Sequence, residues 1–261
     1  MNRLYIVSSG AGGVEYLTSQ AKNAIEDSEV IVSYTKYAKE LNEILINKEI
    51  YTSGMTHEIN RCNQAIKYAL MGKTTSIISN GDVNVFAMAT LIVELVDEQN
   101  LWNKIEVISV PGVTSFLAAA SKIGAPISQD FAIISLSDRL TDINMIDKRI
   151  KATLESDFII GIYNPKSKTR TLPYQNFLKA LKQQDERIVI IASNVGREKE
   201  KITVTNSADL ITQDINHPLV SMSTLIIVCN SNSYITKNGK VLTPRGYLNK
   251  YDMKGELKNE N

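Results

Sequence analysis

The chain of 261 residues holds only two cysteines, two histidines and one tryptophan. Cys62 and Cys229 stand far apart without metal-ligand spacing, so they read as small buried apolar residues of a reducing compartment. His57 and His217 are too few and too scattered to found a metal centre, and no metal is expected. An excess of one charge is also missing: 29 Lys and Arg face 28 Asp and Glu, for a net charge of +1. That balance argues against a general nucleic-acid binder, though it leaves room for a local basic patch. No segment approaches the roughly 20 consecutive apolar residues of a membrane span. The apolar run in Met1–Ser8 is too short for a signal peptide and looks like a first strand. A cytoplasmic protein with neither membrane nor nucleic-acid partner is the expectation. Nor is there a Walker loop, since no glycine pair is followed by Lys-Ser or Lys-Thr at the needed spacing, and no tandem repeat of 20–50 residues.

What is present is a globular composition. Hydrophobic residues make up 43% of the chain, enough to give one large domain or two of ordinary size a buried core. In the first half, strand-like and helix-like stretches alternate. Strands are predicted over Leu4–Ser8, Val30–Ser33, Thr75–Ser79 and Ile105–Val110. Helices are predicted near Thr18–Asp27 and over Glu58–Met71, Val85–Asp97 and Thr114–Ile123. In the Glu58 helix, Ile59, Cys62, Ile66 and Ala69 fall on one stripe. Such alternation implies a mainly parallel sheet covered on both faces.

Gly124-Ala125-Pro126-Ile127-Ser128 breaks the pattern and is read as the domain boundary. A second α/β set follows, with strands over Phe131–Ser135, Phe158–Tyr163, Ile188–Ala192, Ile202–Thr205 and Thr224–Val228, and helices over Ile143–Leu154 and Pro173–Lys182. The expected organisation is an N-terminal α/β domain over 1–123, a C-terminal one with a mixed sheet over 124–247, and a charged, fraying tail over 248–261.

The chemistry-bearing features are turns at strand ends. Ser79-Asn80-Gly81-Asp82-Val83-Asn84-Val85 follows an apolar strand, a common place for an α/β protein to hold a small ligand. Ser8-Ser9-Gly10-Ala11-Gly12-Gly13 is glycine-rich, but its spacing is not G-x-G-x-x-G. Ser33, rather than an acid, ends the second strand, so a dinucleotide site is disfavoured. The other turns are Pro111-Gly112-Val113-Thr114-Ser115, the stretch from Tyr163-Asn164-Pro165 to Arg170, Asn194-Val195-Gly196-Arg197 and Thr243-Pro244-Arg245-Gly246-Tyr247. Taken singly, each has a plain structural reading: a chain reversal, a helix cap or a strand end.

In this order and spacing the turns resemble the tetrapyrrole methylase family, whose members are S-adenosylmethionine-dependent enzymes of two α/β domains. The resemblance runs from Leu4 to about Tyr247. The family's Gly-x-Gly-Pro-Gly turn is matched by Ser8-Ser9-Gly10-Ala11-Gly12, and its Gly-Asp-Pro turn by Gly81-Asp82-Val83. Val32–Tyr37, Gly54–Arg61 and Ile134–Thr141, with the Tyr-Asn-Pro and Thr-Pro-Arg-Gly-Tyr turns, are most similar to the branch that methylates C17 of precorrin-3B or cobalt-factor III in cobalamin biosynthesis. The chain departs from the pattern at Ser8, where Gly is usual, Ala11 (Pro), Val83 and Asn84 (Pro-Gly) and Ala87 (Gly). Those changes put cofactor affinity in question.

The resemblance implies S-adenosyl-L-methionine as cofactor, lying between the domains and lined by Ala11, Asn80, Gly81, Asp82, Val85, Thr114, Ser115, Asn164 and Val195. Asp82 would hold the amino group of the methionine part, or cap the helix that follows, or both. The implied substrate is a corrinoid tetrapyrrole carrying many carboxylates, which needs local cations. Lys166, Lys168, Arg170 and Arg245 are the assigned candidates, with Arg139 and Arg197 in other turns. Arg61 with Glu58 reads as an i,i+3 helix pair. For the proton movement of ring contraction the candidates are Tyr34, His57, Glu58, Arg61 and Asp138, and no spacing singles out one, so the catalytic residue stays unknown. The resemblance also implies a homodimer. Alternatives left open are methylation of another tetrapyrrole position, of a ribosomal RNA ribose or of an elongation-factor histidine, and a non-catalytic binding protein on the same scaffold.

Overall fold

A computed structural model describes residues 2–258. The chain divides into two compact units. One runs to Ala118 and takes in Val195–Glu198; the other comprises Ala119–Asn194 and the chain from Lys199 on.

The first unit contains β1 (Asn2–Ser8), α1 (Ser19–Asp27), β2 (Val30–Tyr34), α2 (Thr35–Glu40), β3 (Glu49–Ser53), α3 (Glu58–Leu70), β4 (Thr75–Ser79), α4 (Ala89–Glu98), β5 (Ile105–Val110) and the start of α5 (Ser115–Ile123). Its five strands form one sheet in the order β3-β2-β4-β1-β5, with every pairing parallel. Alternation along the strands supplies both faces. Leu4, Ile6, Val30, Val32 and Ile77 pack with Cys62, Ala65, Ile66 and Ile92 of α3 and α4. Val7, Ile31, Ile78 and Val110 pack with Ala21, Ala24 and Ile25 of α1. β4 is buried along its whole length, as a parallel strand covered on both faces must be. Burial pushes the Cys62 thiol up to about 12, so it serves as an apolar filler. The register sets Ser8 beside Ser79 and Val7 beside Val110, so β1, β4 and β5 end almost level.

The second unit contains β6 (Gly124–Ala125), β7 (Phe131–Ser135), α6 (Ile143–Glu155), β8 (Ile159–Tyr163), α7 (Leu172–Leu181), β9 (Ile188–Ser193), β10 (Lys201–Asn206), α8 (Ser207–Gln213), β11 (Thr224–Val228), β12 (Tyr234–Ile235), β13 (Val241–Leu242) and α9 (Tyr247–Lys250). Its main sheet, β10-β9-β11-β8-β7, is mixed: β7 and β8 are parallel and the remaining pairs antiparallel. A small sheet pairs β12, β13 and β6. The core joins Ile146, Ile150 and Leu154 of α6 to Tyr174, Phe177 and Leu181 of α7 and to Ile160, Ile162, Val189, Ile191, Ile226 and Val228 of the sheet. Asp142 caps α6 by accepting the Asn144 N–H at 2.9 Å.

The predicted strands all form. One helix begins later than its apolar pattern predicts. α4 starts at Ala89 rather than Val85, because Phe86 sits at φ 53° and the Ala89 N–H bonds to the Val83 carbonyl. α2 and β3 escape a periodicity reading. β3 is an edge strand of half-exposed and exposed residues and α2 is six residues long. Within the stretch expected to fray, residues 248–258 carry local structure: most of α9, a Tyr251–Leu257 bridge and a bond from the Lys258 N–H to the Lys250 carbonyl. Residues 259–261 lie outside the described residues. No helix among those described is long and apolar enough to cross a membrane.

His217 gives the second unit a pH dependence. It is buried, its Nδ1 accepts the Leu219 N–H at 3.2 Å, and its Nε2 stands 3.6 Å from Asp209 Oδ2. Burial lowers its pKa below 6.5, opposed by Asp209 and reinforced by the Lys166 cation. The unfolded chain therefore takes up this proton first, and stability falls as pH drops through about 6.5. The Asp209 carboxyl is lowered below 3.8 by hydrogen bonds from Gln213 and Thr205, so its contribution persists until well below that window. Urea midpoints measured from pH 7.5 to 5.5 are expected to fall in the parent protein and to flatten in His217→Gln. Equal slopes would remove His217 from the account.

Candidate cofactor site

Three turns of the first unit meet at the carboxyl ends of β1, β4 and β5. The glycine turn after β1 and the Gly81 turn after β4 exchange two backbone bonds, Gly10 N–H to Gly81 O at 3.1 Å and Gly81 N–H to Gly10 O at 2.7 Å. Both glycines adopt the left-handed region, Gly10 at φ 73° and Gly81 at φ 70°, where a side chain is disfavoured. The Pro111-Gly112 turn after β5 closes on the same point. A Cβ on Gly112 would fall 2.4 Å from the Ser8 Cβ and 2.6 Å from the Gly81 carbonyl oxygen.

Two side chains lace these turns. The Ser8 hydroxyl, fully buried, donates to the Val110 carbonyl at 2.6 Å and accepts the Val83 N–H at 2.9 Å. Asp82 accepts the Asn84 N–H on Oδ1 at 2.8 Å and the Gly112 N–H on Oδ2 at 2.9 Å. Asp82 therefore does not cap α4, which begins seven residues later. It ties the β4 turn to the β5 turn, and a ligand amine would have to share oxygens that already accept.

The Ser8 contact explains two departures from the family pattern together. Proline, usual at position 83, has no N–H. Valine there brings a buried donor, and an unpaired buried donor is costly. Serine in place of glycine at position 8 supplies the acceptor. The departures at Asn84 and Ala87 are also tolerated, since neither residue lies at positive φ.

Of the residues assigned to the cofactor, Ala11, Asn80, Gly81, Asp82, Val85, Thr114 and Ser115 lie on or beside these three turns, and Val195 belongs to the same unit. Ala11, Thr114 and Val195 are buried. Gly196 packs so closely that a Cβ there would meet the Tyr16 ring at 2.8 Å and the Gly12 nitrogen at 3.1 Å. Arg197 grips both carboxylate oxygens of Glu40, at 2.8 and 3.2 Å, and donates to Asn80 Oδ1 at 2.7 Å. From sequence, Arg197 stands among the candidate substrate cations, and neither Glu40 nor the Ser8 hydroxyl has a role. Only the paired exchange at positions 8 and 83 could have signalled the last.

Near the end of β3, Arg61 is buried and donates to Ser53 Oγ at 2.8 Å and the Gly54 carbonyl at 3.1 Å, with Glu58 Oε1 3.8 Å away. Its main work is bracing that strand end; the helix pair is secondary. His57 and Glu58 are exposed, and the Tyr34 and Tyr37 rings meet edge-on with centroids 5.1 Å apart. Burial pushes the Tyr37 phenol up. Among the described residues no three His, Cys, Asp or Glu are grouped as a metal site.

In the second unit, Asn164 follows β8 at φ 50°, and its amide donates to Ser135 Oγ at 3.0 Å. Arg170 fixes this turn, donating to the Leu136 carbonyl at 2.5 Å and the Asn164 carbonyl at 2.8 Å, with Asp138 3.8 Å from its Nε. Lys166 donates to the Ile215 carbonyl. Two of the four assigned substrate cations are thus engaged internally, whereas Lys168 and Arg245 are exposed.

Three results are expected from equilibrium unfolding. Ser8→Gly should cost about 1–3 kcal/mol, because it orphans the Val83 N–H. Val83→Pro should then be less harmful in the Ser8→Gly background than in the parent, and additive effects would show that the two positions are not linked. Asp82→Ala should lose about 1.5–3 kcal/mol from its charge-assisted bonds, and unchanged stability would discard the bracing role.

The family model for tetrapyrrole (corrin/porphyrin) methylases matches residues 3–211. A "Probable cobalt-factor III C(17)-methyltransferase" of Methanocaldococcus jannaschii is 37% identical over 252 residues, covering 95% of this chain and 99% of that protein. The "Cobalt-factor III methyltransferase" of Priestia megaterium is 35% identical over 257 residues, 96% of this chain, but this chain spans only 46% of that longer protein. The crystal structure of the methyltransferase CobJ superposes with a TM-score of 0.85 at 27% identity, covering 94% of this chain and all of that one. With a parallel α/β unit, a mixed-sheet unit and this match over most of its length, the chain belongs to the tetrapyrrole methylase family.

Proposed function

We propose that the chain is an S-adenosylmethionine-dependent C-methyltransferase that acts at C17 of cobalt-factor III or precorrin-3B, with ring contraction, in cobalamin biosynthesis. The observation that carries the reading is the three-turn junction at the ends of β1, β4 and β5, intact despite its altered residues and present in a chain similar end to end to the Methanocaldococcus protein. The junction fits the cofactor: it offers backbone groups on rigid glycine turns, small side chains, and an Asn80 amide.

The cofactor supplies an already activated methyl group, so the protein's task is alignment rather than proton abstraction. Gly10, Gly81 and Gly112 hold the floor of the site. Ser8 and Asp82 fix the turns against one another. Asn80, Thr114 and Ser115 present polar groups to the ligand. Lys168, Arg245 and Arg139 are exposed cations on strand-end loops and chain turns of the second unit, suited to peripheral carboxylates of a flat macrocycle. The chain works as a homodimer in this reading; light scattering near 29 kDa at micromolar concentration would exclude that.

Incubation with cobalt-factor III and precorrin-3B in parallel, with mass detection of one added methyl, tests the activity and names the substrate. No methylated product from either, together with retained S-adenosylhomocysteine binding, would instead support the non-catalytic reading. Lys168→Gln with Arg245→Gln should raise KM for the corrinoid while leaving cofactor affinity unchanged. The effect should shrink at high salt, because exposed charges are screened over about 8–10 Å. An unchanged KM at low salt would leave these two cations as plain surface.

A further inference from the structure

We infer that Arg197 is a positioning residue that locks the Asn80 side chain into one orientation and makes it a hydrogen-bond donor to an oxygen of the bound S-adenosyl compound. The inference rests on the methyltransferase reading and deepens it.

Asn80 is half-buried at the end of β4, next to Gly81. Its Oδ1 accepts from Arg197 Nη2 at 2.7 Å. Its amide nitrogen has no partner among the described residues. An asparagine free to rotate presents an acceptor or a donor alike. One whose oxygen is held by a guanidinium presents its NH2 group in the remaining direction, since flipping would set two donors against each other.

Arg197 is itself held. Its Nε and Nη2 form a fork with both oxygens of Glu40 on α2, a planar pairing that fixes direction better than a lysine could. The backbone before it is pinned as well: Gly196, at φ 71°, lies against Gly12 and Tyr16 with no room for a Cβ. The Arg197 guanidinium is engaged by Glu40, whose Oε1 also lies 4.0 Å from the exposed Lys36 Nζ, so Arg197 itself is not free to meet a ligand. What remains for recognition is the neutral amide of Asn80, aimed by a rigid Glu40–Arg197 pair.

A ligand oxygen, whether carboxylate or ribose hydroxyl, is the chemistry that such a donor selects. Replacing the NH2 by oxygen reverses the recognition while keeping the Arg197 contact. Asn80→Asp therefore separates positioning from folding. Its carboxylate still accepts from Arg197, now with charge assistance, yet it offers no donor to the ligand.

The test is calorimetric titration of S-adenosylhomocysteine into the full chain and its variants, with thermal melts alongside. Asn80→Asp should bind about 10-fold or more weakly, the loss of one donor, with a melting temperature equal to or above the parent's. Arg197→Met and Asn80→Ala should each weaken binding by about 10-fold, and the double variant no more than either single one, because both remove the same oriented donor. In steady-state assays, KM for S-adenosylmethionine should rise while kcat at saturation stays within about two-fold. Arg197→Lys should restore little, since an ammonium cannot hold Glu40 and Asn80 in the same fork. Unchanged affinity in Asn80→Asp, or weakening in the double variant equal to the product of the single effects, would overturn the inference and leave the methyltransferase reading standing. Failure of the parent chain to bind the ligand would overturn both.

Discussion

The buried Ser8 hydroxyl is the contact on which the first unit's site depends. A parallel sheet leaves its strand ends to diverge into separate turns, and the turns after β1, β4 and β5 have few backbone groups with which to find one another. Ser8 stands on the central strand of these three. With one donor and two acceptor positions, it reaches β5 through the Val110 carbonyl and the β4 turn through the Val83 N–H. Gly112 must then lack a side chain, because the Ser8 Cβ occupies the space. The reciprocal Gly10–Gly81 bonds and the Asp82 bonds complete a closed lattice around one small hydroxyl.

The same problem recurs at the parallel pair of the second unit with a different solution. There β7 and β8 end side by side, and the brace is the Arg170 guanidinium, which spans the Leu136 and Asn164 carbonyls. Burial presses its pKa downward, with Asp138 opposing and Arg139 adding to the effect. An arginine in such a place is structural before it is anything else, and so is Lys166 on the Ile215 carbonyl. Counting cations in a motif therefore overstates how many are without an internal partner. Burial and partners decide which charges remain available.

Much of the fold was legible because it is written in apolar periodicity. Every strand predicted from an apolar run formed, and α1, α3, α5, α6 and α7 fell within two residues of their predicted ends. What escaped was polar or short: β3 at the sheet edge, the short helices α2, α8 and α9, the two-residue strands β6, β12 and β13, and the late start of α4, where a left-handed Phe86 holds the chain out of the helix. The site divides in the same way. The glycine turns at strand ends of the first unit are legible, since backbone geometry is encoded locally. The contacts of Arg197 with Glu40 and Asn80 join residues 157 and 117 positions apart, and nothing in the spacing of single residues reveals them. A departure at one position, taken alone, reads as damage. Only the fold shows that Ser8 and Val83 answer each other.

That pairing bears on how altered motifs should be weighed. Proline and glycine in a ligand turn do two separate things: they set backbone shape, and they remove donors or side chains. Here the shape is kept by the glycines that remain at positive φ, Gly10, Gly12 and Gly81. The exchanged positions 84 and 87 do not lie at positive φ, so neither requires glycine for its backbone. The donor that valine introduces is answered by a hydroxyl already inside van der Waals reach of three turns. A turn can thus lose its family spelling while its hydrogen-bond accounts stay closed, and the property that matters for alignment, a rigid floor of oriented backbone groups, survives the change of letters.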